Sequence, residues 1–206
     1  MTIMNGLFRV TKHEIKAATA TLVQAFFEYP EPVFLMPDPE KRRKQMPRIY
    51  DSIMKGALSI GEIWAASPEM EGVAVWAPGN GSRPVWKHGF SFFWLLMNLR
   101  VGSTASGSRE AYFAHVTEVR ERLMPGNYWY LQMVGVKPAM QGKGCGSSLL
   151  RPMLARATRE NLPVYLETQS ESTVPLYEHF GFTVADDSLV IGTNIRSWAM
   201  IKTPDK

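Results

Sequence analysis

A single cysteine, Cys145, stands in the 206 residues, so no internal disulfide can form and stability must rest on packing. A cytoplasmic setting is compatible with that count and is the expected one. Long apolar runs are also missing. The most apolar stretch, 89–99, falls well short of the roughly 20 residues a membrane-spanning helix needs, so no membrane segment is expected. The N-terminus MTIMNGLFRV lacks a basic region followed by an apolar core and does not read as a secretion signal. Nor is there a basic run interleaved with aromatics. Lys41-Arg42-Arg43-Lys44 is short and falls on a predicted helix, where it reads as a solvated face rather than a nucleic-acid contact. Internal repeats and low-complexity tracts are absent. What remains is globular, with 45% hydrophobic and 20% charged residues, enough for one domain over 1–206 with a sizeable core. The net charge of +4 suits a polyanionic small ligand.

Along the chain, residues 7–10 form a strand candidate, and Thr11 and Glu14 have the spacing of a capping box. Ile15, Ala18, Leu22 and Phe26 follow at helical spacing. Prolines at 30, 32, 37 and 39 predict an irregular loop. Asp38 can cap the next helix with Pro39 at its first position, and Pro47 inside that helix predicts a kink or restart. Strands near 62–66 and 72–77 predict an antiparallel hairpin ended by Pro78-Gly79. Residues 86–101 are apolar almost all round, which predicts a buried helix or a homodimer face. A helix bearing Tyr112, Val116, Val119 and Leu123 stops at Pro125-Gly126. Residues 127–136 are apolar on both faces, as in a strand covered by helices, and Gly135 predicts a bulge or a close approach of backbone to a ligand. Strand 164–168, a short helix 173–180 with Gly181 as its left-handed stop, and strands 183–187 and 198–203 complete the layout.

Between strand 127–136 and the helix that follows lies Gln141-Gly142-Lys143-Gly144-Cys145-Gly146-Ser147. A strand, a glycine turn and a helix start together make a cradle for an anion. Glycine permits positive φ and close backbone approach, and the first amides of a helix have no internal partner. An ordinary glycine loop is the plain alternative. A dinucleotide fingerprint is a second, with Glu167 as the downstream acid. However, Ser147 stands where the third glycine belongs, and the motif comes too late for a doubly wound sheet. A P-loop is excluded, because no Gly-Lys-Ser/Thr follows a four-residue gap.

Gln141-x-x-Gly144-x-Gly146 after an apolar strand resembles the acetyl-coenzyme A loop of the GNAT N-acetyltransferase superfamily. Residues 165–184, YLETQSESTVPLYEHFGFTV, resemble that family's next strand, tyrosine-bearing helix and Gly-Phe stop. Within the family the likeness is closest to puromycin N-acetyltransferase and its relatives, and it covers 129–204 well and the first half in outline. The resemblance implies an α/β (α+β mixed) fold. Its sheet of six to seven mostly antiparallel strands has helices on both faces and a splay between the fourth and fifth strands, here 127–136 and 164–168. It further implies acetyl-coenzyme A as co-substrate and direct attack by a primary amine of a small molecule.

Pantetheine is then expected against the backbone of Met133, Val134 and Val136, where a strand N–H also faces the developing oxyanion. The pyrophosphate is expected on the amides of Gln141, Gly142, Lys143, Gly144, Cys145, Gly146 and Ser147, with charge added by Lys137, Lys143 and Arg151. Tyr177 matches the family tyrosine and is expected to protonate the departing sulfur. Glu167 is the candidate base, or a group that tunes the pocket, and His115 and Glu118 are further candidates. Thr173 stands where relatives often place a cofactor-contacting asparagine. Phe26, Phe27, Tyr29 and Phe34 are candidates for the acceptor wall or for the core. Cys145 suggests an acyl-enzyme alternative, but with no histidine near it in sequence it reads as a small residue filling the loop. Two other functions fit the same fold: an idle coenzyme A-binding or regulatory module, and transfer to protein or peptide amines.

Overall fold

A computed structural model describes residues 3–4, 6–80, 106–190 and 192–204, and the predicted helix and homodimer face at 86–101 lie outside them. Its elements run β1 (Ile3–Met4), β2 (Leu7–Arg9), α1 (Ile15–Phe26), α2 (Pro30–Leu35), α3 (Pro39–Ile60), β3 (Glu62–Ala65), β4 (Gly72–Asn80), α4 (Ser106–Leu123), β5 (Asn127–Val136), α5 (Cys145–Arg159), β6 (Val164–Thr168), α6 (Val174–His179), β7 (Thr183–Leu189) and β8 (Arg196–Lys202). The strands form one sheet in the order β1-β2-β3-β4-β5-β6-β8-β7. Every pair is antiparallel except β5–β6. This is the expected mixed α/β fold with one strand more than expected. The addition, β1, pairs two residues with β2 and is too short to show alternation in the sequence.

Local signals account for most boundaries. The Glu14 carboxylate accepts from the Thr11 amide at 2.9 Å, one half of the capping box, and α1 begins at the next residue. Asp38 accepts from the amides of Glu40 and Lys41 at 2.9 and 3.2 Å, with Pro39 at the first helical position. Helix α3 then runs through Pro47 as one element.

Three expectations need correction. The proline-rich stretch is not all loop, because α2 starts at Pro30; prolines in a first turn remove only amides that would lack partners anyway. The hairpin does not end at Pro78, since β4 continues to Asn80. Beyond Trp76, β4 pairs with β5 alone, so the missing proline amide costs no ladder bond on the β3 side. The bulge in β5 lies at Gln132, not Gly135, because Val75 pairs with Met133 while its neighbour Trp76 pairs with Leu131.

That extra residue changes which face the side chains reach. Leu131 packs with Trp76, Leu149 and Leu166 against α5 and α6, whereas Met133 packs on the opposite side with α1 and α3. Further along that second face, α4 covers Tyr128, Tyr165 and Ala199. None of the helices in the described residues is long and apolar enough to cross a membrane.

Gly135 owes its identity to α1. A Cβ built there would lie 2.8 Å from Ala25 Cβ, 3.0 Å from Leu22 Cδ2 and 3.1 Å from Phe26 Cε2. Gly135→Ala is therefore expected to cost about 1–3 kcal/mol by forcing α1 off the sheet, measured as a lower denaturant midpoint at unchanged slope.

Candidate functional site

Strands β5 and β6 touch only at their beginnings. Trp129 pairs with Val164 and Tyr130 with Tyr165, and beyond these pairs β6 continues against β8 while β5 continues against β4. The expected splay is thus present. It leaves one edge of 131–136, including Met133, Val134 and Val136, without a neighbouring strand among the described residues. An unpaired strand edge is where an extended amide-bearing ligand adds.

The glycine turn lies at the end of that edge. Gly142 and Gly144 have φ of 75° and 83°, and Gly144 is the left-handed N-cap of α5. The first helical bond runs from the Ser148 amide to the Gly144 carbonyl at 3.0 Å. None of the amides of Gly142, Lys143, Gly144, Cys145, Gly146 and Ser147 donates to a backbone carbonyl among the described residues. Gly146 lies close to β5, where an added Cβ would reach Val136 Cγ2 at 4.0 Å. A row of free amides at a helix start fits the doubly charged pyrophosphate of coenzyme A. The Gln141 amide differs, bonding the Pro138 carbonyl at 3.3 Å, while its side chain donates to the Val136 carbonyl. Lys143 is exposed and in no ion pair among the described residues. Lys137 points elsewhere, to the Glu69 carbonyl at 2.8 Å, and the Arg151 guanidinium lies 5.5 Å from the Phe180 ring centre.

Tyr177 lies on α6, buried against the same core as Leu166 and edge-to-face with Phe182 at 6.0 Å. The Gly181 stop, at φ 84°, returns the chain so that the Phe182 amide bonds the Tyr177 carbonyl at 3.1 Å. Burial, and then nearby Tyr29, raise the Tyr177 phenol above its ordinary value, so it carries its proton at neutral pH. Tyr29 itself is fixed at the end of β6. Its hydroxyl lies 2.6 Å from Thr168 Oγ1 and accepts from the Gln169 amide at 3.0 Å. Thr173 belongs to this network, donating to the Ser170 carbonyl at 2.8 Å and lying 2.6 Å from Thr168 Oγ1.

Glu167 points to the opposite face of β6. Its Oε1 is 3.5 Å from Arg120 Nη1 on α4, while Oε2 is buried with no hydrogen-bond partner. Burial raises its carboxyl, opposed by Arg120 and then by the Tyr130 phenol. His115 is turned to Ser188 at 2.9 Å, and Glu118 is exposed. Cys145 is a free, partly exposed thiol at the first position of α5.

Residues 104–184 match the family model described as an acetyltransferase (GNAT) domain. Over these residues the chain is similar to that domain. An uncharacterized N-acetyltransferase of Schizosaccharomyces pombe is 29% identical over 180 residues, covering 84% of this chain and 72% of the relative. Solved structures share the fold over nearly its whole length. One described as histone acetyltransferase HPA2 and related acetyltransferase, from Corynebacterium glutamicum, has TM-score 0.68 and 24% identity, covering 99% of this chain and 98% of its own. Arylalkylamine N-acetyltransferase 2 of Aedes aegypti has TM-score 0.66 and 11% identity over 97% and 98% of the two chains. A polyamine N-acetyltransferase of Drosophila melanogaster has 0.65 and 12% over 96% and 98%.

Glu31 was not singled out in the sequence, where Tyr29-Pro30-Glu31-Pro32 reads as loop. It stands in the first turn of α2 with no ion pair or hydrogen bond among the described residues. Burial, and then the charge of Glu167 across the site, push its carboxyl up to about 7. Burial first, and Glu31 to a lesser degree, raise the phenols of Tyr29, Tyr50 and Tyr112, contributed by the α1–α2 connection, α3 and α4. Arg120 and Tyr130 lie beside Glu167, and His115 and Asp186 line the same cavity as Glu167.

A carboxyl whose folded value lies above its ordinary 4.5 is tolerated best while protonated, so its contribution to folding stability falls as pH climbs from about 4.5 to about 7 and is then constant. Glu31→Gln is accordingly expected to stabilise the ligand-free protein by on the order of 1–3 kcal/mol near pH 8 and to change little near pH 4, as followed by thermal denaturation at both pH values.

Proposed function

We propose that this acetyltransferase moves the acetyl group of acetyl-coenzyme A to a primary amine of a small molecule by direct attack. The single observation that carries the reading is the continuity of three features. A free strand edge at 131–136 runs into the row of free amides at 142–147, and protonated Tyr177 lies on the β6 side of the same gap. Fold neighbours described as arylalkylamine, polyamine and agmatine N-acetyltransferases support a small-amine acceptor. The likeness to the puromycin-acetylating group rests on 129–204, the cofactor half, and leaves the acceptor open.

When bound, acetyl-coenzyme A supplies the activated acyl carbon. Met133, Val134 and Val136 hold the pantetheine amides, and a strand amide among them faces the carbonyl oxygen. Residues 142–147 hold the pyrophosphate. Glu31 takes one proton from the acceptor ammonium, freeing the nitrogen lone pair. The new C–N bond forms as the C–S bond breaks. Tyr177 gives its phenol proton to the leaving sulfur and recovers one from the nitrogen, so the net products are the amide, the free thiol and one proton. Glu31 serves better as base than Glu167, whose carboxylate is already held by Arg120.

Tyr177→Phe is expected to lower kcat by about 100-fold or more while leaving the calorimetric Kd for coenzyme A within about threefold. An idle binding module would release no thiol in the wild type with any amine. Faster turnover of short peptides than of small amines would favour the protein-acetylating alternative.

A further inference from the structure

We infer that Gln132 receives the acceptor: its side-chain carbonyl oxygen accepts an N–H of the incoming amine and holds the nitrogen against the acyl carbon. This deepens the amine-acetylating reading and rests on it.

Gln132 is the residue that the sheet leaves out. Trp76 pairs with Leu131 and Val75 with Met133, so Gln132 has no partner of its own on β4. On its other side β6 has already parted, since the last pair between β5 and β6 is Tyr130–Tyr165. The carboxamide is thus carried at the point where the gap opens. In a bulge two residues oppose one, and the three side chains share a face of the sheet. Here the three are Gln132, Met133 and Val75. Met133 and Val75 pack with α1 and α3, which puts Gln132 on that face. Tyr177 packs with Leu131 and Leu166 on the opposite face. The leaving sulfur and the incoming nitrogen are different neighbours of the acyl carbon, and the two faces supply a proton donor for the one and an acceptor for the other.

The oxygen is also unmet. Gln132 is half-buried as a residue, but its Oε1 is buried with no hydrogen-bond partner among the described residues. Such an oxygen costs the folded chain stability unless a ligand supplies a donor. Other polar side chains around the opening are engaged with the protein. Gln141 donates to the Val136 carbonyl, and Tyr29, Thr168 and Thr173 form one chain of hydroxyls. The unpartnered oxygens of β6, the Tyr165 hydroxyl and Glu167 Oε2, line a cavity under α4 with His115, Asp186, Ser188 and Ser197, and Gln132 is not in its wall.

An amide oxygen suits a primary amine. The ammonium has three N–H donors and the neutral amine two, so one stays on Gln132 through loss of the proton while the lone pair turns to the acyl carbon. A carboxamide neither takes that proton nor adds a charge that would hold it on the nitrogen. It orients the nucleophile without opposing its deprotonation.

The test uses the full-length enzyme at saturating acetyl-coenzyme A, with thiol release from phenethylamine, putrescine, agmatine and trialanine as the signal. For the probe that wild type turns over fastest, Gln132→Leu is expected to lower kcat/KM by about 10- to 100-fold, chiefly through KM, with the calorimetric Kd for coenzyme A within about threefold. The same substitution is expected to raise the Tm of the ligand-free protein by about 2–6 °C, because the unmet oxygen is gone. A residue serving only in packing would not combine lower activity with higher stability. Gln132→Glu keeps an acceptor oxygen but adds a charge that holds the ammonium proton, so its kcat is expected to reach half-maximum at a pH about one unit higher. If Gln132→Glu does not fold, the leucine variant decides alone. Unchanged kcat/KM in Gln132→Leu, a Tm that falls or stays, a weakened Kd for coenzyme A, or an unmoved pH profile in Gln132→Glu each overturns the inference. A Gln132→Leu chain that does not fold refutes the stability gain and the inference with it. If wild type acetylates none of the probes although coenzyme A binds, it is the parent reading that fails.

Discussion

Two residue pairs hold β5 and β6 together, and the site depends on their being only two. Trp129–Val164 and Tyr130–Tyr165 close the narrow end of the gap; past them each strand is claimed by its other neighbour. A parallel pair must be joined by a crossover, and here the crossover is the glycine turn and α5. The topology that permits the divergence therefore also delivers a helix start to its mouth. Free amides and a free strand edge lie side by side because one connection makes both.

The bulge at Gln132 adds to this arrangement. By reversing side-chain parity in mid-strand, it lets β5 contribute Tyr128 and Tyr130 to one face before the bulge and Met133 and Gly135 to that same face after it. The second group meets α1 and the first meets β6 and α4. This face of the sheet is thus assembled from distant parts of the chain. Its electrostatics are correspondingly collective: Glu31 carries a raised carboxyl through burial and then through Glu167, which is itself restrained by Arg120.

What could be read from residues alone follows the range of the interactions. The Asp38 cap, the Gly181 stop and the positive φ of Gly142 and Gly144 are local, and each follows from side chains within a few positions. The parallel pairing and its divergence were accessible only through resemblance, since nothing in 127–136 or 164–168 specifies where pairing ends. Glu31 was hidden for a different reason. Flanking prolines signalled a loop, and a carboxyl on a loop is ordinarily solvated; the groups whose charge it is coupled to come from positions 50, 112 and 167. Arg120 and Tyr130 escaped in the same way, as members of a helix and a strand whose patterns mark burial but not encounter. Gly135 was rightly seen as unusual but given the wrong neighbour, because the helix that crowds it is more than a hundred residues earlier in the chain.

The hydroxyl of Tyr29 acts as a rivet between the two halves of the molecule. It fastens the segment after α1 to Thr168 and the Gln169 amide at the open end of β6, and Glu31 follows two residues later. The Glu31 carboxyl is thereby registered to the open end of β6. Tolerances on the two sides therefore cannot drift independently, because this bond joins them directly instead of through the summed slack of a hundred-residue connection.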